Sequence, residues 1–169
     1  EDALEKFPKL RKILIKSAIS NSKAYKLARR KINLLTIDSV STLDQVISLM
    51  EIILRFPIHR ISSIYLWPKI LTKICGGRLK FPISGGGAIA PHIDSFFEAL
   101  GVELLVGYGL TETSPVLTCR RPWRNIRGSA GQPLPETEIR IVDPETFQTK
   151  KLRQKGLVLA KGPQIMSGY

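Results

Sequence analysis

The spacing of apolar residues changes near residue 75. Before that point apolar residues recur three and four positions apart, as at Leu10, Ile13 and Leu14. This spacing places them on one face of an α-helix. The first part of the chain is therefore predicted to be helical.

A second helix is predicted to follow Ser41 or Thr42, since either hydroxyl can cap a helix N-terminus. Asp44 lies in the first turn, where a negative charge is favoured. Pro57 lacks an amide hydrogen and clashes with the preceding turn, so we expect the helix to end there.

After Gly76 and Gly77 the apolar runs become shorter and are bounded by glycine and proline. Residues 79–84 (LKFPIS) predict a strand, 91–100 a helix and 102–106 a second strand. Two strands joined through one helix by short links are typical of a parallel βαβ unit.

Apolar and charged residues alternate in EIRIVD at 138–143, and a second apolar run, GLVLAKG, occupies 156–162. A turn is expected between them at 144–146. Alternation with period two predicts strands, here an antiparallel sheet or a small barrel. Three regions follow: a helical, basic region 1–75, an α/β region 76–134 and a β-rich region 135–169.

Charge is concentrated in the first half of the chain. The net charge is +12 overall, and residues 1–80 carry +10 of it. The run from Lys6 to Lys31 holds ten cations and no acidic residue. On a helix such a run favours either a solvated face or contact with an anionic membrane or an acidic protein.

Other composition features exclude some classes of protein. The longest apolar run, 46–58, is interrupted by charges and too short to span a bilayer. Segment 58–74, with Tyr65 and Trp67, fits either a membrane interface or a core helix.

The two cysteines and two histidines lack metal-ligand spacing, which argues against zinc and favours a reducing compartment. A cluster of arginines surrounds Trp123, but this cluster alone does not indicate nucleic-acid binding. We therefore expect no nucleic-acid partner.

Two glycine-rich segments follow the two predicted parallel strands. They are SGGGAI at 84–89 and GYGLTETSP at 107–115, here together called the glycine site. In parallel α/β sheets ligands bind beyond the carboxyl ends of the strands. The two segments are therefore expected to lie side by side and to form a binding site.

The residue types in the glycine site suit a nucleotide with a metal ion. Glycines let the backbone approach a ring or phosphate closely. Tyr108 offers an aromatic face, the Thr111 hydroxyl can donate to an anionic oxygen, and Glu112 can bind Mg²⁺. Taken singly these residues have ordinary interpretations: a connecting turn, a packed tyrosine and a solvated carboxylate.

SGGGAI, GYGLTETSP, GSAGQPLPETEIRIVDPET and KGPQIMSGY together resemble the adenylate-forming (AMP-binding) superfamily. Within it they look like the long-chain fatty acyl ligases, especially the cyanobacterial and plastid acyl-acyl-carrier-protein synthetases. The resemblance is dense over 80–169 and looser over 1–79, which resembles a variable helical insert. It implies an α/β fold, the central fragment of the large N-terminal domain of such an enzyme.

The resemblance implies a ligase that uses ATP and Mg²⁺. A long-chain fatty acid would be activated as acyl-AMP and passed to the thiol of acyl carrier protein or coenzyme A. The implied location is the cytoplasm or plastid stroma, with or without membrane contact.

The resemblance also implies roles for particular residues. Tyr108 would stack on adenine, Thr111 would contact phosphate, and Glu112 would bind Mg²⁺. The remaining residues would line the adenine and acyl pocket or leave room for the carboxylate: Gly86, Gly87, Ala88, Gly107 and Gly109.

The sequence departs from the family pattern in four places. It contains no phosphate loop ending in lysine, no downstream aspartate for the ribose and no C-terminal lysine, and KKLRQKG at 150–156 is basic where an acidic turn is usual. We therefore expect the chain to be a fragment that is inactive alone. The other hypothesis is a basic module that binds membranes or nucleic acid without catalysis.

Overall fold

The computed structural model describes residues 8–169, so Lys6 of the basic run lies outside the described residues. The fold is α/β, as expected. It divides into two compact units. Unit 1 comprises the chain up to Pro82 with Ile89–Leu104 and Ile126–Ser129, and unit 2 comprises Ile83–Ala88, Leu105–Asn125 and Ala130–Tyr169. The three regions bounded at residues 75 and 134 remain a prediction.

Unit 1 is built from helices. They are α1 (Lys9–Ile32), α2 (Thr42–Ile61), a π-helical segment (Ser62–Leu66), α3 (Trp67–Cys75) and α4 (Pro91–Ala99). Helix α1 packs on α2 and on α4. Tyr25, Ala28 and Trp67 are buried. Because Trp67 is only 2% exposed, it belongs to the core of unit 1.

The start of α2 confirms the predicted cap. Ser41 is the N-cap residue, and its hydroxyl accepts a hydrogen bond from the Asp44 amide at 3.1 Å. The Asp44 carboxylate accepts one from the Ser41 amide at 3.1 Å. This reciprocal pair is a capping box, which satisfies donors that the first helical turn leaves free.

The predicted end of α2 at Pro57 is wrong, because the helix continues to Ile61. Two residues that flank the proline contact the same partner on α1. The Tyr25 ring stacks on His59 at 4.2 Å and lies 6.3 Å from Phe56. These contacts hold both sides of Pro57 against α1 and outweigh the local preference of proline to break a helix.

A network of buried charges joins three segments of unit 1. Glu98 on α4 is 4% exposed, and its Oε1 accepts a hydrogen bond from Arg30 Nε at 2.7 Å. Its Oε2 accepts one from Arg127. The Arg127 Nε also lies 3.9 Å from Asp94. Since buried charges are stable only when paired, this network ties α1, α4 and the 126–129 loop together.

Unit 2 contains a four-stranded sheet in the order β1-β2-β3-β4. The strands are β1 (Ile83–Ser84), β2 (Leu105–Tyr108), β3 (Thr118–Cys119) and β4 (Gln132–Pro133). β1 and β2 are parallel, which confirms the predicted parallel pair with a helix between them in sequence. The pairs β2–β3 and β3–β4 are antiparallel.

Both strand predictions in this sheet needed correction at their ends. β1 begins only at Ile83 because Pro82 has no amide hydrogen for a ladder. β2 begins at Leu105, three residues later than predicted, because the Val102 amide donates to Phe97 O at 2.9 Å and still belongs to the turn after α4.

The predicted antiparallel pair is confirmed as a separate hairpin of unit 2. β5 (Glu138–Val142) pairs with β6 (Leu157–Lys161), with Val142 opposite Leu157. The turn lies at 144–146, where the Asp143 carboxylate accepts hydrogen bonds from the Glu145 and Thr146 amides.

Within residues 8–169 no helix is both long enough and apolar enough to cross a membrane. This agrees with the charges that interrupt the longest apolar run.

Candidate functional site

The glycine site forms where β1 and β2 end. Ile83 lies opposite Leu105 and Ser84 opposite Val106 in the parallel register. The next residue, Gly85, is so near β2 that a Cβ on it would lie 3.7 Å from the Gly107 carbonyl oxygen. The two glycine segments therefore start side by side, as the topology predicted.

Gly107 and Gly87 are not required by the packing of the protein itself. A Cβ on Gly107 would meet its nearest neighbours at 3.9 Å, and one on Gly87 would meet nothing within 4 Å. Neither has the positive φ that only glycine adopts easily, whereas Gly86 does, at +78°. Open backbone of this kind leaves room for a ligand to approach closely.

Gly109 has a different reason to be glycine. A Cβ there would overlap the Pro115 carbonyl group. Gly109 therefore allows the segment 110–115 to fold back against β2, and the turn itself depends on its missing side chain.

The turn after β2 is held by Thr113. This side chain is buried, and its Oγ1 accepts a hydrogen bond from the Leu110 amide, while its single hydroxyl hydrogen is shared between the Leu110 and Pro115 carbonyl oxygens, all at 2.9 Å. It closes a short 3₁₀ helix, Thr111–Thr113. Ser114 follows with φ +47°, a left-handed conformation that ends the turn.

Glu112 sits in the middle of this 3₁₀ helix and is half-buried. Its Oε1 accepts a hydrogen bond from the Tyr169 hydroxyl at 2.8 Å, and its carbonyl oxygen accepts one from the Met166 amide at 3.0 Å. Two hydrogen bonds lower the pKa of Glu112 below its usual value. The larger effect comes from its own backbone amide and the smaller from the Tyr169 hydroxyl. The carboxylate is therefore charged at neutral pH.

The other candidate side chains are accessible. Tyr108, at the end of β2, is 38% exposed, and Thr111 is also exposed. Gly86, Gly87 and Ala88 lie in the exposed segment after β1. Accessible aromatic, hydroxyl and carboxylate groups close in sequence to open glycines can bind a ring and an anion together.

Glu112 would supply only one ligand to a metal ion. Among residues 8–169 no group of three or more histidine, cysteine, aspartate or glutamate side chains could hold one. Mg²⁺ commonly binds through one or two carboxylates, with phosphate oxygens and water completing its shell. The donor set thus fits a cation that arrives with a nucleotide.

Sequence reasoning missed two residues of the site. It assigned no role to Thr113, which fixes the turn, or to Tyr169, which contacts Glu112. For Thr113 the signal was its position next to Ser114 and Pro115, residue types that are common in turns. Tyr169 lies 57 residues from Glu112, and only its place in the quoted KGPQIMSGY segment gave a signal.

An α/β fold with open glycines, an accessible tyrosine and a charged glutamate at parallel strand ends is typical of a ligand-binding domain. A model of the AMP-binding enzyme family matches residues 19–169. The chain belongs to the AMP-binding enzyme family. The resemblance noted in its sequence is thereby confirmed.

Individual relatives agree with the family. The chain is 47% identical over 116 residues to a chloroplastic long-chain-fatty-acid–[acyl-carrier-protein] ligase of Arabidopsis thaliana, covering 69% of this chain and 16% of that protein. It is 36% identical over 104 residues to long-chain-fatty-acid–CoA ligase 1 of Schizosaccharomyces pombe, covering 60% of this chain and 15% of that protein. The chain thus spans about a sixth of these relatives.

A solved structure extends the likeness to three dimensions. The ATP-bound RpMatB-BxBclM chimera B3 superposes with a TM-score of 0.52 at 28% identity. The superposition covers 60% of this chain and 20% of the chimera.

Proposed function

We propose that this chain is part of an ATP-dependent ligase that activates a long-chain fatty acid as acyl-AMP and transfers it to the thiol of acyl carrier protein or coenzyme A. The observation that carries the proposal is the glycine site. Backbone left open at Gly87 and Gly107 adjoins the turn that presents Glu112. The relatives named above, one an acyl-carrier-protein ligase and one a CoA ligase, support the substrate class.

The proposed reaction has two steps. A carboxylate oxygen of the fatty acid attacks the α-phosphorus of ATP, the bond to the β-phosphate bridge breaks, and pyrophosphate leaves. The acceptor thiol then loses its proton to solvent and attacks the acyl carbonyl, and AMP leaves. Negative charge concentrates at the α-phosphate in the first step, so nearby donors accelerate it.

In this proposal the residues of the glycine site act by binding and orientation. The Tyr108 ring stacks on adenine, and the Thr111 hydroxyl donates to a phosphate oxygen. Gly86, Gly87 and Ala88 line the adenine and acyl pocket, Gly107 leaves room for the carboxylate, and Gly109 lets the turn that carries Glu112 fold back against β2. Glu112 holds Mg²⁺, which neutralises phosphate charge when bound.

The fatty acid and the acceptor thiol are the proposed partners, and the chloroplastic relative favours the plastid stroma as the location. Contact with a membrane would use the basic surface of α1, where Lys9, Arg11, Lys12 and Lys16 lie within two turns.

Pyrophosphate exchange into ATP tests the proposal directly. The full-length protein should exchange labelled pyrophosphate only when ATP, Mg²⁺ and a long-chain fatty acid are all present. The 169-residue chain alone should show no exchange and serves as the matched control. Full-length protein that lacks exchange but binds anionic vesicles in a salt-sensitive manner would favour the second hypothesis, a basic binding module.

Two alanine variants distinguish a glycine that leaves space for the ligand from a glycine that the packing of the protein requires. They are Gly107→Ala and Gly109→Ala. Gly107→Ala should fold with wild-type stability, because its methyl group meets only ordinary contacts. It should raise KM for the fatty acid by about tenfold or more, the effect of one misplaced contact on substrate orientation. Gly109→Ala should lower the unfolding free energy by ~1–3 kcal/mol or more, because its methyl group overlaps Pro115. Steady-state kinetics and denaturant unfolding measure the two effects, and an unchanged KM in Gly107→Ala would contradict the assigned role.

A further inference from the structure

The segment after β6 returns to the turn that carries Glu112. It turns at Gly162, where the Ile165 amide donates to the Gly162 carbonyl at 3.2 Å. The Gln164 side chain donates to Thr137 Oγ1 at 2.7 Å. Residues 162–169, here called the return segment, are therefore fixed in unit 2 before they reach Glu112.

Two contacts join the return segment to one residue. The Met166 amide donates to the Glu112 carbonyl at 3.0 Å, and the Tyr169 hydroxyl donates to Glu112 Oε1 at 2.8 Å. The first contact fixes the backbone of Glu112 and the second fixes its carboxylate. The carboxylate also accepts a hydrogen bond from the Glu112 backbone amide, so the tyrosine hydroxyl adds a second restraint on its orientation, from a distant part of the chain.

We propose that Tyr169 is a positioning residue for the Glu112 carboxylate: its hydroxyl holds Oε1, and the carboxylate oriented in this way would bind a divalent cation that arrives with nucleotide phosphates. This inference rests on the proposed function. The physical reason is that carboxylates that bind a metal are themselves held by hydrogen bonds from a second layer of residues. The Tyr169 side chain is otherwise exposed, so removal of its hydroxyl should disturb no packing.

Tyr169→Phe tests the inference because it removes the hydroxyl and keeps the ring. In the full-length protein the variant should bind Mn²⁺ about tenfold more weakly in the presence of ATP, measured by electron paramagnetic resonance, as for loss of an outer hydrogen bond to a ligand. The Mg²⁺ concentration that half-saturates pyrophosphate exchange should rise by the same factor. Exchange should approach the wild-type rate at saturating Mg²⁺, with KM for the fatty acid unchanged.

A merely structural tyrosine would give a different pattern. It would lower the melting temperature and reduce exchange at every Mg²⁺ concentration. Tyr65→Phe is the matched control, since Tyr65 is 66% exposed and lies in unit 1. It should behave as wild type.

The double variant shows whether Tyr169 acts through Glu112. In a Glu112→Gln background, Tyr169→Phe should weaken Mn²⁺ binding no further, whereas independent effects would multiply. Independent effects, or wild-type Mn²⁺ binding in Tyr169→Phe alone, would overturn the inference. If Glu112→Gln itself leaves Mn²⁺ binding unchanged, the metal role in the proposed function fails together with it. If only Tyr169→Phe is without effect, the proposed function stands and the tyrosine inference fails.

Discussion

Glu112→Gln should lower kcat for acyl-AMP formation in the full-length protein by roughly 10²–10³-fold, as expected when one group that stabilises transition-state charge is lost. The substitution keeps the size of the side chain and an oxygen for the Tyr169 hydroxyl. It removes the negative charge that a divalent cation needs. Pyrophosphate exchange at saturating ATP and fatty acid measures the effect.

Glu145→Gln is the matched control for this experiment. Glu145 lies exposed in the turn of the β5–β6 hairpin, where only its backbone amide contacts Asp143. Its substitution should leave kcat and KM at wild-type values. A loss of less than about threefold in Glu112→Gln would contradict the proposed metal role, because so small a change is less than 1 kcal/mol of transition-state stabilisation.

Glu98→Gln should be the most destabilising conservative change in unit 1. Glu98 and Arg30 are both about 5% exposed, and the carboxylate also pairs with Arg127. An uncharged amide removes the negative charge that Glu98 places beside the buried Arg30 cation. Breaking a buried pair in this way costs about 3–5 kcal/mol. That is a large fraction of the ~5–15 kcal/mol that stabilises a typical domain. Denaturant unfolding of the chain measures the loss.

Two further variants make the stability prediction decisive. Glu51→Gln removes the exposed pair with Arg55, whose side chains are 40% and 33% exposed, and should cost less than about 1 kcal/mol. If Glu98→Gln fails to fold, Arg30→Met in the same chain should recover part of the stability, since the buried positive charge is then gone. Equal losses in Glu98→Gln and Glu51→Gln would show that burial does not determine the effect.

The sequence predicted the helices best where the signal was local. Ser41 and Asp44 lie three residues apart and cap α2 regardless of the rest of the chain. Pro57 misled because the contacts that keep α2 continuous come from Tyr25, 32 positions earlier in the sequence. No pattern within α2 carries that information.

The site could be predicted only as far as topology fixes it. Parallel β1 and β2 place the two glycine segments at one edge, and this follows from a strand-helix-strand pattern alone. The antiparallel neighbours β3 and β4, each two residues long, were not foreseen because such short strands have no periodicity to detect. The contact of Tyr169 with Glu112 depends on how the return segment folds back, which no local spacing encodes.

Each of the two units is built from several separate segments of the chain, and this limits where the protein can be cut. Between Pro82 and Ala130 the backbone passes from one unit to the other at five points. A protease cut or a genetic split within residues 83–129 would therefore leave neither product with a complete unit. Neither unit can be expressed as one continuous piece, and a split-protein reporter or an inserted tag belongs outside residues 83–130.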